Sequence, residues 1–134
     1  MVLVDTSVWS LALRRAGEPS AGTVKELTAL IREGHAAILG AIRQELLSGI
    51  RSARQFDTLR TRMRAYPDIR VDTADYEDAA ALFNRCRARG IQGSNTDFLL
   101  CAVAMRHDIA IFTTDRDFAR FARVVPVRLH AARR

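Results

Sequence analysis

The sequence predicts an α/β fold of three layers, in which a parallel sheet of about five strands carries helices on both faces. Short continuous apolar segments alternate with longer segments of helical periodicity. Two of the apolar segments, 2–4 and 109–112, lead into polar turns that contain an acid. The 134 residues, 49% of them hydrophobic, are enough for one core, so we expect a single domain spanning 1–134.

Strands are predicted where a short apolar run stops at a polar residue or a glycine. The first run ends at Asp5 and the second at Gly40. The last is interrupted by Pro126, which has no N–H to donate, so it is expected at an edge of the sheet. The predicted strands cover 2–4, 36–39, 69–71, 109–112 and 125–129, and the tail from 131 is expected to be loose.

Helices are predicted where apolar residues recur every three or four positions. The second helix ends at Gly34 and the fourth before Pro67, and both residues favour a helix end. The sixth is apolar on all sides from 98 to 105, so we expect it to be buried. The predicted helices cover 8–15, 23–33, 41–49, 52–66, 73–89, 96–106 and 116–123, with a turn at 17–20.

The order of the strands follows from their composition. The first and fourth are the most apolar and should lie side by side in the centre, which the order 3-2-1-4-5 satisfies. In that order the chain reverses direction between strands 1 and 4. Open α/β sheets form a ligand crevice at such a point, outside the carboxyl ends of the strands.

Acids are expected at this crevice. Asp5 and Asp115 follow the two central strands, Glu45 lies on the helix after strand 2, and Asp97 opens the buried helix. Asp117 is a weaker fifth candidate. Two carboxylates about 4 Å apart repel each other by roughly 4 kcal/mol at an effective dielectric near 20, so the cluster needs a cation. Carboxylate ligands favour Mg²⁺ or Mn²⁺, which can activate water and offset charge on a phosphate.

Each acid also fits a purely structural role. Asp5 and Asp115 stand where N-caps are expected. Ser94 and Asp97 have the spacing of a capping box. Glu45 alone would be an ordinary solvated helix residue. Capping does not require these acids to converge at one edge of the sheet, whereas a metal site does.

The N-terminal residues lack the basic region and cleavage site of a signal peptide, and no apolar stretch reaches the roughly 20 residues of a membrane span. We therefore expect a cytoplasmic protein without a membrane partner. Cys86 and Cys101 are isolated in helical segments and are expected to be reduced core residues. No catalytic role is assigned to the histidines, which are His35, His107 and His130.

Four segments resemble the blocks of the PIN domain, especially those of the VapC-type toxins of bacterial toxin–antitoxin pairs. They are VLVDTSVW at 2–9, RQELLSG at 43–49, NTDFLLCAVA at 95–104 and IFTTDRDF at 111–118. The resemblance implies a Mg²⁺- or Mn²⁺-dependent endoribonuclease that hydrolyses RNA phosphodiester bonds. It also implies a homodimer and neutralisation by a cognate antitoxin.

By the same resemblance, Asp5 and Asp97 would be direct metal ligands, and Glu45 and Asp115 would bind through water or hold a second ion. The side chains implied to lie behind these ligands are Thr6, Ser7, Thr113 and, in a role left open, Asp117. An antitoxin segment would pack near the first helix, whose apolar residues also fit a plain core or a dimer contact; they are Trp9, Leu11 and Leu13.

The charge balance is basic, with 21 arginines and lysines against 15 acids and a net charge of +6. This favours a polyanionic or an acidic protein partner, although an arginine bias also arises from genomic composition. The RNA-contact candidates, which equally fit a merely solvated helix face, are Arg51, Arg54, Arg60, Arg62, Arg64 and Arg70. Arg116 is a further candidate that could instead pair with Asp115 or Asp117.

Three alternatives share parts of this pattern. A receiver-like phospho-aspartate switch also has a parallel sheet, Mg²⁺ and strand-end acids, but it needs a lysine after its last strand. The only lysine, Lys25, lies on the second predicted helix. A PIN-fold binding module without catalysis would keep the fold alone, and DNA-directed nucleases of the same superfamily are usually longer.

Overall fold

A computed structural model describes residues 1–13 and 21–133. The predicted turn at 17–20, the end of the first predicted helix and Arg134 lie outside the described residues. The elements are β1 (Val2–Val4), α1 (Thr6–Leu13), α2 (Ala21–Arg32), β2 (Ala36–Leu39), α3 (Gly40–Leu47), α4 (Ala53–Met63), β3 (Asp68–Ile69), α5 (Thr73–Ala88), α6 (Asn95–His107), β4 (Ala110–Phe112) and α7 (Asp117–Phe121).

Four parallel strands form one sheet in the order β3-β2-β1-β4. Val2 pairs with Ala110 and Val4 with Phe112, so β1 and β4 end at the same edge. The path from β1 to β3 steps in one direction across the sheet and the return from β3 to β4 in the other. Because such crossovers are right-handed, α1–α4 and α5–α6 cover opposite faces. The predicted α/β class is confirmed.

The fifth predicted strand, 125–129, does not form. A single parallel bridge joins Leu129 to Ile111, at the position that the order 3-2-1-4-5 gives to strand 5. Pro126 has no N–H, and Val127 donates its own N–H to the carbonyl of Val125 at 2.9 Å. This tight turn leaves only the end of the segment to pair with β4, through the single bridge at Leu129, so the sheet has four strands and a bridge.

Helix α6 runs through the core, as its all-round apolar composition predicts: every residue from Phe98 to Ala104 is buried. Cys86 and Cys101 are buried and not disulfide-bonded, which confirms their prediction. Among the described residues, no helix combines the length and the apolar composition that crossing a bilayer requires.

Two local predictions are wrong for the same reason, which is a charged side chain that finds a distant partner. The apolar stripe that the sequence predicts for α5 begins at Tyr76, but Tyr76 is 60% exposed. The inward position belongs instead to Asp75, which pairs with Arg106. The tail is not loose throughout, because Arg133 donates to the buried Glu26 of α2 at 2.9 Å. Neither partner is close in sequence, so no local pattern indicates these contacts.

Candidate active site

Asp5 stands at the carboxyl end of β1 and is only 6% exposed. Its backbone N–H donates to the carbonyl of Phe112 on β4 at 2.9 Å, which fixes it beside the neighbouring strand. Its Oδ2 accepts two hydrogen bonds of 2.8 Å, from Ser7 Oγ and Thr113 Oγ1. This buried carboxylate is therefore held by hydroxyl groups, and its Oδ1 accepts no hydrogen bond from the described residues.

The hydroxyls of Ser7 and Thr113 join the two strand ends. Ser7 Oγ accepts the backbone N–H of Thr114 at 3.0 Å, and Thr113 Oγ1 accepts that of Asp115 at 3.0 Å. Both hydroxyls donate their protons to Asp5, so the two hydroxyl oxygens, although 3.2 Å apart, do not form a hydrogen bond with each other. Both side chains lie directly behind the Asp5 carboxylate and align it.

Asp115 follows β4 and is partly buried. Its Oδ1 accepts the backbone N–H of Asp117 at 2.9 Å, so it caps the start of α7. Asp117 is also partly buried, in the first turn of that helix. Thr113 links Asp115 to Asp5, because the Thr113 hydroxyl accepts from one residue and donates to the other.

Asp97 occupies the third position of α6 and forms the predicted capping box with Ser94. Its Oδ2 accepts the Ser94 N–H at 3.0 Å, and its own N–H donates to Ser94 Oγ at 3.1 Å. Burial raises the pKa of Asp97, and the negative charges of Asp5 and Asp115 raise it further, against the lowering effect of the Ser94 hydrogen bonds. The capping role and the acidic cluster therefore coexist in this side chain.

Glu45 is exposed on α3, one helix away from the strand ends. Its Oε1 accepts a hydrogen bond of 2.7 Å from Thr6 Oγ1, and Thr6 follows Asp5 directly. The structure thus brings Asp97 within electrostatic reach of Asp5 and Asp115, and Thr6 links Glu45 to the same edge of the sheet. These four acids are called the acidic edge below.

Sequence and structure comparisons agree on what kind of domain this is. The model of the PIN domain family matches residues 2–124. The chain belongs to the PIN domain family. Ribonuclease VapC11 of Mycobacterium tuberculosis and VapC ribonuclease Mb1587 of Mycobacterium bovis are each 32% identical to it over 126 residues, covering 92% of this chain and 93% of the relative.

Solved structures share the fold of this PIN domain. FitAcB from Neisseria gonorrhoeae matches with a TM-score of 0.74 at 20% identity, over 98% of this chain and 97% of the other. VapBC2 from Rickettsia felis, bound to a DNA fragment from its promoter, matches with a TM-score of 0.74 at 16% identity, over 97% and 98%. The shared architecture does not support a receiver-like switch, and Lys25 is an exposed residue of α2.

The donor set of this PIN domain suits a hard divalent cation. In the part of the chain that the structure describes, no three His, Cys, Asp or Glu side chains are already gathered around one point that could hold a metal. Mg²⁺ does not require this, because it keeps several waters and typically binds one or two carboxylates directly. Asp5 and Asp97 each present one carboxylate oxygen that accepts no hydrogen bond from the described residues, which fits two direct ligands and further contacts through water.

The predicted arginine candidates are exposed on α4 and beside it, and Arg60 also pairs with Asp57 at 2.8 Å. Arg54 and Arg62 line a groove of about 880 Å³ between α1, α3 and α4. Its other lining residues are Ser10, Leu13, Leu46, Ile50, Gln55, Thr58 and Leu59. Arg116 is exposed and forms no ion pair with Asp115 or Asp117 in the described structure. Trp9, predicted as a possible antitoxin contact, is a core residue with 2% exposure.

Sequence reasoning missed the polar lining of this groove. Ser10 lies one helical turn after Thr6, whose hydroxyl donates to Glu45. The available signal was the four-residue spacing of Thr6 and Ser10 on α1, which places both on one face. None of the four candidate acids lines the groove itself.

Proposed function

We propose that this chain is a Mg²⁺- or Mn²⁺-dependent endoribonuclease, the toxin of a toxin–antitoxin pair that a cognate antitoxin neutralises. The ribonuclease names of its mycobacterial relatives support the activity. The observation that carries the proposal is the hydroxyl lattice that ties Asp5 to Asp115 through Thr113, with Asp97 close enough for its pKa to be raised by both acids.

In this proposal Asp5 and Asp97 are the direct ligands. Ser7 and Thr113 hold one oxygen of Asp5, and the Ser94 N–H holds one oxygen of Asp97, so each carboxylate would hold the cation through its other oxygen. When bound, Mg²⁺ or Mn²⁺ supplies a Lewis acid that activates water and offsets charge on the scissile phosphate.

The remaining acids of the site act at longer range. Glu45, oriented by Thr6, and Asp115, oriented by the Asp117 N–H, would bind the ion through water or help to hold a second ion. Their carboxylates also add negative charge that favours a dication over a monovalent ion. Asp117 belongs to the same turn, and its backbone N–H, not its carboxylate, is what orients Asp115.

In this proposal the RNA backbone lies along Arg116 and the exposed arginines of α4. Arg116 is exposed in the turn between Asp115 and Asp117, and in this proposal it would contact a phosphate next to the scissile bond. The exposed arginines of α4 extend the basic surface along the groove, where guanidinium groups can make bidentate phosphate contacts. Direct contacts to phosphate position the RNA without selecting its sequence.

The antitoxin and the second protomer complete the proposal. A further solved neighbour with the same fold is a toxin–antitoxin complex from Klebsiella pneumoniae. In this chain the groove combines apolar side chains, such as Leu46 and Ile50, with Arg54 and Arg62. That chemistry fits an amphipathic antitoxin segment with acidic residues, and the homodimer implied by the sequence resemblance is part of the same proposal.

The test is cleavage of a mixed RNA pool by purified protein with Mg²⁺, with Mn²⁺ and with chelator. We expect cleavage with Mg²⁺ and with Mn²⁺ but not in chelator. The cleavage rate of Asp5→Asn should be lower by about a thousandfold or more, because the substitution removes the charge of one metal ligand. Asp78→Asn, at an exposed acid of α5, is the matched control and should cleave like the wild type. Cleavage that persists in chelator or in Asp5→Asn would refute the metal assignment.

A further inference from the structure

A buried carboxylate outside the acidic edge ties α2 to the C-terminal segment. The Glu26 side chain is 3% exposed, and His130 Nε2 donates to its Oε2 at 2.5 Å. Arg133 Nε donates to its Oε1 at 2.9 Å, while Arg133 Nη2 donates to Glu33 at 2.5 Å. Burial acts to raise the pKa of Glu26, but the hydrogen bonds from His130 and Arg133 outweigh it and leave the pKa lowered.

This arrangement is specific because a buried carboxylate is costly unless it is paired. Glu26 is one of only three buried polar or charged residues among those described, with Asp5 and Asp75. Asp5 belongs to the proposed site, and Asp75 joins α5 to α6. Glu26 has no part in the proposed reaction, so its burial needs another explanation.

His130 connects Glu26 to β4. The backbone N–H of His130 donates to the Ile111 carbonyl at 2.7 Å, and the Ile111 N–H donates to the Arg128 carbonyl at 2.9 Å. The imidazole lies edge-on to the ring of Phe112, with 5.3 Å between ring centroids. Glu26 therefore fixes an imidazole that packs on the last residue of β4.

Phe112 in turn holds the proposed metal ligand. Its carbonyl accepts the Asp5 N–H at 2.9 Å, and the next residue, Thr113, donates to Asp5 Oδ2 at 2.8 Å. A continuous set of contacts thus runs from Glu26 through His130 and Phe112 to the backbone and the carboxylate of Asp5.

We propose that Glu26 and His130 are positioning residues for Asp5: they clamp the C-terminal segment to α2 and so hold Phe112, Thr113 and the Asp5 carboxylate in place. The clamp acts before any metal or RNA is bound. The part of the inference that concerns catalysis rests on the proposed ribonuclease function, whereas the part that concerns the order of Asp5 does not.

The test uses Glu26→Gln, which keeps the shape of the side chain and removes its charge. In metal-free protein, amide hydrogen exchange at Asp5 and Ile111 should accelerate about tenfold or more, while the Leu100 amide in the core of α6 keeps its protection. On RNA, kcat should fall by about tenfold with KM little changed, because alignment is lost and RNA contacts are not.

Three further variants serve as controls for this test. Asp108→Asn breaks the exposed ion pair with Arg128 in the same segment, 3.1 Å in length, and should leave both measurements unchanged. His130→Phe keeps an aromatic ring beside Phe112 and should lose less protection at Asp5 than His130→Ala. If Glu26→Gln fails to fold, this pair of His130 variants decides the question.

Unchanged exchange at Asp5 in Glu26→Gln, or unchanged exchange at Asp5 in both His130 variants, would overturn the clamp. Accelerated exchange spread evenly over the whole chain would overturn it too, since it would show a purely structural role. If the wild type does not cleave RNA, the proposed function fails, yet exchange at Asp5 still tests the clamp.

Discussion

Asp75 and Asp97 occupy the same local position in neighbouring helices but have opposite electrostatic environments. Each is the third residue of its helix, and each accepts the N–H of its N-cap residue in a capping box. Hydrogen bonds from Arg106 hold the pKa of Asp75 below its usual range, despite burial. Burial raises the pKa of Asp97, and Asp5 and Asp115 add to the rise.

The difference separates an acid that stabilises the fold from one that is available for a ligand. Both oxygens of Asp75 accept hydrogen bonds from Arg106, at 2.6 and 2.7 Å, and Oδ2 also accepts the Asp72 N–H. Only one oxygen of Asp97 accepts a hydrogen bond, from the Ser94 N–H of its cap, among the described residues. The nearby charged groups that act on its carboxylate are the acids Asp5 and Asp115. Perturbed carboxylates of the second kind are candidates for functional sites, because a cation relieves their repulsion.

The largest expected effect comes from making Asp75 resemble Asp97. Arg106→Met keeps the aliphatic stem but leaves the Asp75 carboxylate, which is 0% exposed, without its cation. We expect the melting temperature to fall by on the order of 10 °C, because an unpaired buried charge is strongly destabilising. Differential scanning calorimetry at neutral pH measures this.

The control for that change is Arg128→Met, which breaks an exposed ion pair with Asp108. Exposed pairs contribute little, so its melting temperature should stay within about 2 °C of the wild type. If both arginine variants lose the same stability, Asp75 and Asp97 do not differ in the way described above.

The sequence predicts the acidic edge well because the relevant signals are local. The apolar runs before Asp5 and Asp115 predict that β1 and β4 lie side by side, and the observed pairing puts both ends at one edge. β4 is not central as predicted, because the fifth strand does not form and β4 is the outermost strand of the sheet. The capping box of Ser94 and Asp97 is confirmed as predicted. Local runs and four-residue motifs are enough for these features.

What the sequence misses depends on long-range partners or on turn geometry. The inward rotation of Asp75 depends on Arg106, 31 residues away, and the order of the tail depends on Glu26, 107 residues from Arg133. The fifth strand is lost to the turn in which Val127 donates back to Val125. Apolar periodicity carries no information about such contacts.

A second, smaller effect tests whether the hydroxyl groups orient the acids of this edge for metal binding. Thr113→Val keeps the shape of the side chain and removes its hydrogen bonds to Asp5 and from the Asp115 N–H. We expect Mn²⁺ affinity, measured by electron paramagnetic resonance, to fall by about 10–100-fold, the usual cost of losing a group that orients a ligand. Thr114→Val, at the exposed neighbouring position, should bind Mn²⁺ normally. Equal affinities in the two variants would mean that Thr113 does not align Asp5.

The smallest expected effect is the most direct comparison, because Asp75→Asn and Asp97→Asn remove one charge from equivalent positions and keep a capping oxygen. The folded-state pKa of Asp97 is raised, so its ionisation opposes folding; the stability that its protonated form gives is present at low pH and lost as the pH rises through that pKa. Asp97→Asn should therefore melt about 2–4 °C higher than the wild type at pH 7 in chelator.

The pH dependence then distinguishes the two aspartates. The advantage of Asp97→Asn should vanish as the pH falls below the usual aspartate pKa near 4, where the wild-type carboxyl is protonated. Asp75 has a lowered pKa, so its stabilisation is present above the usual range and is lost as the pH falls. Asp75→Asn should accordingly melt lower than the wild type at pH 7.

Adding Mg²⁺ should raise the melting temperature of the wild type and of Asp75→Asn but not that of Asp97→Asn, since Asp97 is a proposed direct ligand of the ion and Asp75 is not. A melting temperature for Asp97→Asn below that of the wild type in chelator would show that the acids at the edge are not in conflict, and would remove the electrostatic reason for placing a cation there.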